Sequence, residues 1–97
     1  MRERKSLRIL GKRFPIKWWD EIPGSMGATQ PDDLKIFLSR DYPTEEQCST
    51  VLHEAFEIYN NKLEWGLTHE QICLAEELLY AFLADNGVTM RPLIEEQ

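Results

Sequence analysis

Thr44-Glu45-Glu46-Gln47-Cys48-Ser49-Thr50-Val51-Leu52-His53-Glu54-Ala55-Phe56-Glu57-Ile58-Tyr59 marks the place where the chain changes its hydrophobic period. From here on, apolar residues recur every three or four positions: Cys48, Val51, Leu52, Ala55, Phe56 and Tyr59 fall on one side of a helix. Thr44 followed three residues later by Gln47 fits a capping box, in which the hydroxyl and the side-chain amide satisfy free N–H groups at a helix start. Thr68-His69-Glu70-Gln71 repeats the device, and Ile72, Ala75, Leu79, Phe82 and Leu83, widened by Leu74 and Leu78, form a second apolar stripe. Helices are therefore predicted over residues 45–60 and 69–85, the first ended by Asn60-Asn61 and the second by a left-handed stop at Asn86-Gly87. The short connection, containing Leu63, Trp65, Gly66 and Leu67, makes them antiparallel neighbours.

Before residue 43 the period is two. Leu7 and Ile9, then Phe14, Ile16 and Trp18, alternate with polar or basic residues about a turn at Gly11-Lys12, so residues 6–10 and 13–19 read as a hairpin. Pro15 has no amide hydrogen, which puts its strand at a sheet edge or turns that position away from the ladder. Pro23-Gly24-Ser25-Met26-Gly27 reads as loop, residues 28–30 as a short strand, and Pro31-Asp32-Asp33 as a turn into a third main strand over residues 34–39. The expected class is α+β: a small antiparallel three-stranded sheet packed against two antiparallel helices. Residues 1–5 and 88–97 are expected as tails, with Leu93 and Ile94 able to dock on the sheet.

A chain of 97 residues with 42% hydrophobic content suffices for one domain with one two-layer core. Its longest apolar runs, such as residues 78–84, are too short to span a bilayer, and the basic start lacks a signal peptide's apolar stretch, so a cytoplasmic setting is expected. Cys48 and Cys73 accordingly read as reduced thiols. The net charge of −6 is unevenly divided: residues 1–17 carry +6 and the rest −12. Cations along a strand block edge-to-edge pairing, and an acidic helical half repels phosphate, so nucleic acid is not the expected partner.

Within the first helix, His53-Glu54-Ala55-Phe56-Glu57 has the pattern H-E-x-x-H with glutamate in place of the second histidine. In that motif two imidazoles one helical turn apart hold zinc while the glutamate beside the first acts as general base. His53 and Glu57 keep the spacing, and a carboxylate is an acceptable zinc ligand, with Glu54 placed to activate a bound water. Antiparallel packing centred near residue 65 sets residue 57 opposite about 73 and residue 53 opposite about 77, so a third ligand is sought among Cys73, Glu76 and Glu77; His69, nearer the helix start, is less well placed. The bland alternatives are a solvated polar stripe for His53 and Glu57, a small buried apolar residue for Cys73, and surface acids for Glu76 and Glu77.

Residues 10–16, Asp20-Glu21-Ile22-Pro23, Ile36-Phe37-Leu38, Leu52-His53-Glu54, Gly66-Leu67-Thr68 and residues 79–86 occur in an order that resembles small phage-associated zinc-metallopeptidase-like proteins, minimal relatives of the gluzincins. The resemblance implies a small sheet on an active-site helix, then a second helix bearing an acidic third ligand. It matches His53 to the first ligand, Glu54 to the general base and Glu57 to the second histidine. Cys73 falls at or near the third ligand, or Glu76 if the alignment shifts.

Two changes in a three-ligand site leave two readings. In the first the zinc site has decayed, no metal is expected, and the chain is a phage- or prophage-associated, non-catalytic module that binds a protein or peptide through Trp18, Trp19 and Trp65. In the second, His53, Glu57 and Cys73 form a rebuilt zinc site, and a peptide hydrolase binds substrate by strand addition along residues 34–39.

Overall fold

Leu10 and Gly11 sit at the tip of the first hairpin with φ of 52° and 76°. Two consecutive residues of positive φ build the type I′ turn, whose twist suits paired strands. The turn therefore falls one residue earlier than the predicted Gly11-Lys12. The structure is a computed structural model that describes residues 2–20, 27–30 and 35–96. Of the predicted loop over residues 23–27, Gly27 instead opens a strand with residues 28–30, while residues 23–26 and the predicted turn over residues 31–33 lie outside the described residues.

In chain order the elements are β1 (Arg2–Glu3), β2 (Ser6–Ile9), β3 (Lys12–Trp19), β4 (Gly27–Gln30), β5 (Lys35–Ser39), α1 (Thr44–Leu63), α2 (His69–Asp85), a 3-10 turn (Arg91–Leu93) and β6 (Glu95–Glu96). The class is α+β, as expected. The main sheet has the order β2-β3-β5-β4, with β2 antiparallel to β3, β4 antiparallel to β5, and β3 parallel to β5 with Ile16 beside Ile36. A fourth strand and a parallel pair thus extend the antiparallel three-stranded arrangement read from the sequence. Because β4 takes the outer place, β5 is interior and offers no free edge for strand addition, contrary to the expectation for residues 35–39; among the described residues the outermost strand on that side is β4.

Pro15 lies in an interior strand, and the ladder explains how. Ile16 N–H donates to the Lys5 carbonyl at 2.8 Å, so in the alternating antiparallel pattern the Pro15 nitrogen faces away from β2. On the other side, pairing with β5 begins only at Ile16.

The core lies between the sheet and α1, where Phe14, Ile16, Ile36 and Leu38 meet Cys48, Val51 and Ile58. The ends are tied in. β1 pairs with β6, Arg4 N–H donates to the Ile94 carbonyl at 2.8 Å, and Met90 and Ile94 are buried in the core with Leu93 packed against it.

The helix ends show which local signals acted. At Thr68 the capping box forms, with the hydroxyl accepting from Gln71 N–H and the Gln71 side chain accepting from Thr68 N–H. The matching box at Thr44 does not form: Pro43 takes the cap position, and the Gln47 amide instead donates to the Ser39 carbonyl at 3.0 Å, tying α1 to the end of β5. Asn60 does not stop α1. Its side chain accepts from Leu67 N–H at 2.9 Å and donates to the Leu67 carbonyl at 3.0 Å, and the helix runs on to a left-handed Glu64. At the end of α2, Gly87 at φ 73°, with Gly87 N–H bonded to Ala84 and Val88 N–H to Leu83, forms a Schellman stop.

Only one face of α2 is buried. Ile72 is in the core, but Phe82, predicted to face inward, points to solvent together with Leu74 and Leu78. No described helix is long and apolar enough to cross a membrane.

Candidate metal centre

Asn60 sets the helix register, and the register assembles the site. Because Asn60 grips both backbone groups of Leu67, the connector runs back beside α1 before α2 begins. α2 is thereby displaced by most of a turn from the predicted pairing: residue 57 faces His69 rather than Cys73, and residue 53 faces Cys73 and Glu76 rather than Glu77. Each helix then offers an i, i+4 pair to the other, His53 with Glu57 from α1 and His69 with Cys73 from α2.

The donor atoms of His53, His69 and Cys73 all lie within 4.8 Å of one another. Cys73 Sγ is 3.5 Å from His69 Nε2 and 3.9 Å from His53 Nδ1. Ligand atoms around a tetrahedral zinc, with Zn–N near 2.0 Å and Zn–S near 2.3 Å, stand about 3.5 Å apart. The donors are therefore spaced to close on one ion. The two rings meet edge to face with centroids 5.1 Å apart.

Glu57, read from sequence as the second ligand, is placed differently. Its Oε1 lies 3.4 Å from His53 Nε2 and 3.5 Å from His69 Nδ1, the ring nitrogens that point away from Cys73. A carboxylate there can accept from those two nitrogens, the outer-shell arrangement that metal-bound histidines commonly have, with His53 Nδ1 and His69 Nε2 on the side of Cys73. Glu76 supplies a nearby oxygen, its Oε1 being 3.7 Å from His53 Nδ1 while Ser49 Oγ–H donates to Oε2 at 2.7 Å. Glu77 makes no ion pair or hydrogen bond to the cluster among the described residues.

The electrostatics favour a cation. Burial first, then the charges of Glu76, Glu77, Glu57 and Glu70, push the Cys73 thiol up. Among the described residues, no Lys or Arg pairs with Glu57 or Glu76, whose ion-pair partners are His53 and His69. A divalent ion would neutralise this negative field and hold the cysteine as thiolate.

Glu54 stands apart. It lies on the core stripe of α1 with Val51 and Ile58, only 4% exposed, and its Oε2 has no hydrogen-bond partner among the described residues. Burial, with a contribution from Glu57, raises its carboxyl from 4.5 to about 7.

The tryptophans do not converge. Trp18 packs against the core, with its indole N–H donating to the Arg4 carbonyl at 2.9 Å. Trp19 lies on the opposite sheet face, half-exposed beside Phe37 at 6.0 Å. Trp65 is exposed in the connector next to Tyr59.

Sequence reasoning ranked His69 too low. The signal was present, since His69-Glu70-Gln71-Ile72-Cys73 repeats the His-Glu-x-x-ligand spacing of residues 53–57. Searches of family models, curated proteins and solved structures give no match to this chain.

Proposed function

We propose that this chain is a zinc-stapled, non-catalytic interaction module built on a metallopeptidase-like scaffold. His53, His69 and Cys73 hold the ion across α1 and α2, with Glu57 orienting both imidazoles and Glu76 or water completing four ligands. The observation that carries the reading is the convergence of two histidines and one cysteine from separate helices within 4.8 Å. Zinc supplies a cross-link there: it joins two helices whose mutual packing leaves much of α2 exposed, and such a site contributes folding energy directly. The non-catalytic part rests on Glu54, whose carboxyl is enclosed on the buried stripe of α1.

Elemental analysis of protein purified without chelator or histidine tag tests it. About one zinc per chain is expected, falling below one equivalent in His69→Ala and in Cys73→Ser, where the ion is held more weakly. A chain without metal that is equally stable with and without chelator would refute the reading.

A second reading, zinc-dependent peptide hydrolysis, is favoured by one observation: a buried glutamate next to His53 with its carboxyl near pH 7 suits a general base. Under that reading Glu54→Gln keeps the zinc and abolishes peptide cleavage. Cleavage unaffected by the substitution would exclude it.

A further inference from the structure

Leu74, Leu78 and Phe82 are 58%, 63% and 64% exposed. Spaced i, i+4, i+8, they form a single ridge about 12 Å long on the side of α2 opposite Ile72. A helix with apolar residues on both its inner and outer sides is characteristic of a covered helix, and an exposed apolar patch of this kind marks an interaction site. The charge beside the ridge says what covers it. At roughly 100° per residue, Glu77 and Asp85 fall along one flank of the ridge and Glu70 one turn before Leu74 at its N-terminal end, and beyond Glu77 a groove between the helices is lined by Glu45, Glu46, Ser49 and Tyr80. The other flank carries Gln71 and Ala75, with no charge.

A second copy packed α2 against α2 is a poor occupant. α2 contains no Lys or Arg, so packing α2 on α2 about a two-fold axis brings Glu70, Glu77 and Asp85 of one copy towards those of the other with no cation to pair them.

We infer that the outer face of α2 docks an amphipathic helical segment of a partner protein, apolar at i, i+4 spacing and carrying Lys or Arg along one side of its apolar stripe. The partner's apolar residues cover Leu74, Leu78 and Phe82, and its cations reach Glu77 and the groove walls at Glu45 and Glu46. The inference rests on the interaction-module reading but not on the bound ion, because the ridge lies on a different side of α2 from His69 and Cys73.

The probe is a fluorescein-labelled helical peptide of Leu, Lys and Ala, with Leu at i, i+4 and Lys along one side, titrated by anisotropy against the full chain at physiological salt. Saturable binding is expected, weakened at least tenfold by Leu78→Glu and several-fold by Glu77→Gln, and absent for a peptide with Ser in place of Leu. Circular dichroism and zinc content of each variant keep misfolding distinct from lost docking. Binding indifferent to Leu78→Glu, or equal binding of a peptide with Glu in place of Lys, overturns the inference. So does a dimer in sedimentation equilibrium that Leu78→Glu dissolves, since the occupant is then a second copy. Zinc-loaded protein that ignores the peptide overturns the docking inference while the metal reading stands; peptide binding by a chain that takes up no zinc when loaded supports docking while the metal reading fails.

Discussion

Replacing Glu54 by glutamine in chelator-treated protein is expected to abolish a large pH effect on stability. In the folded chain the carboxyl is enclosed, without a partner for Oε2, and holds its proton up to about pH 7, whereas its ordinary value is 4.5. Between those values the folded state carries a proton that the unfolded state has lost, so stability falls as pH rises through the window and levels off above it. The gap corresponds to about 3 kcal/mol, on the order of 15 °C in midpoint for a domain of this size. Glutamine has nearly the same shape and never ionises. Urea unfolding followed by tryptophan fluorescence at pH 4.5 and pH 8.5 reads the difference between the two proteins, which cancels the contributions of other carboxylates. The variant is expected to match the parent at the lower pH and exceed it by about 3 kcal/mol at the higher. A variant less stable than the parent at pH 8.5 would show that the Glu54 charge is compensated in the fold, and the enclosed-carboxyl reasoning would be wrong.

Other expectations follow from the same geometry. Leu10→Asn should stabilise by about 1 kcal/mol, because φ of 52° disfavours leucine at an exposed hairpin tip and suits asparagine before Gly11; an unchanged thermal midpoint would count against the strain. Ile58→Ala removes a fully buried side chain between α1 and the sheet and should cost about 3 kcal/mol in urea unfolding. Zinc uptake should release protons and strengthen by about tenfold per pH unit through neutrality and above, since the raised Cys73 thiol must deprotonate to bind. Calorimetry in buffers of different ionisation enthalpy counts those protons, and Cys73→Ser should release fewer.

Where a local group settles its own surroundings, the sequence was a sufficient guide. Thr68 with Gln71, and Gly87 after α2, need only neighbouring backbone, and both ends of α2 fall as predicted. Thr44 with Gln47 carries the same letters, but Gln47 has the end of β5 within reach and bonds Ser39 instead. That choice depends on tertiary placement. The interior position of β5 was hidden for a similar reason, because the short β4 takes the edge. Half of the candidate centre was legible, since His53 and Glu57 share a helix face by spacing alone and Cys73 was placed opposite them. His69 entered through the grip of Asn60 on Leu67, a side-chain contact that moves α2 by most of a turn and that no hydrophobic period encodes. Glu54 was read from the motif as a base placed to activate a bound water; that it shares the buried stripe of Val51 and Ile58 was not read from the motif.

X-ray absorption at the zinc edge on the full chain, loaded with one equivalent and dialysed, tests the His53, His69 and Cys73 assignment most directly. One sulfur neighbour at about 2.3 Å with nitrogen and oxygen neighbours at about 2.0–2.1 Å is expected, the sulfur vanishing in Cys73→Ser and the imidazole scattering falling in His69→Ala. Retained zinc with no sulfur neighbour, or no zinc surviving dialysis, would contradict it.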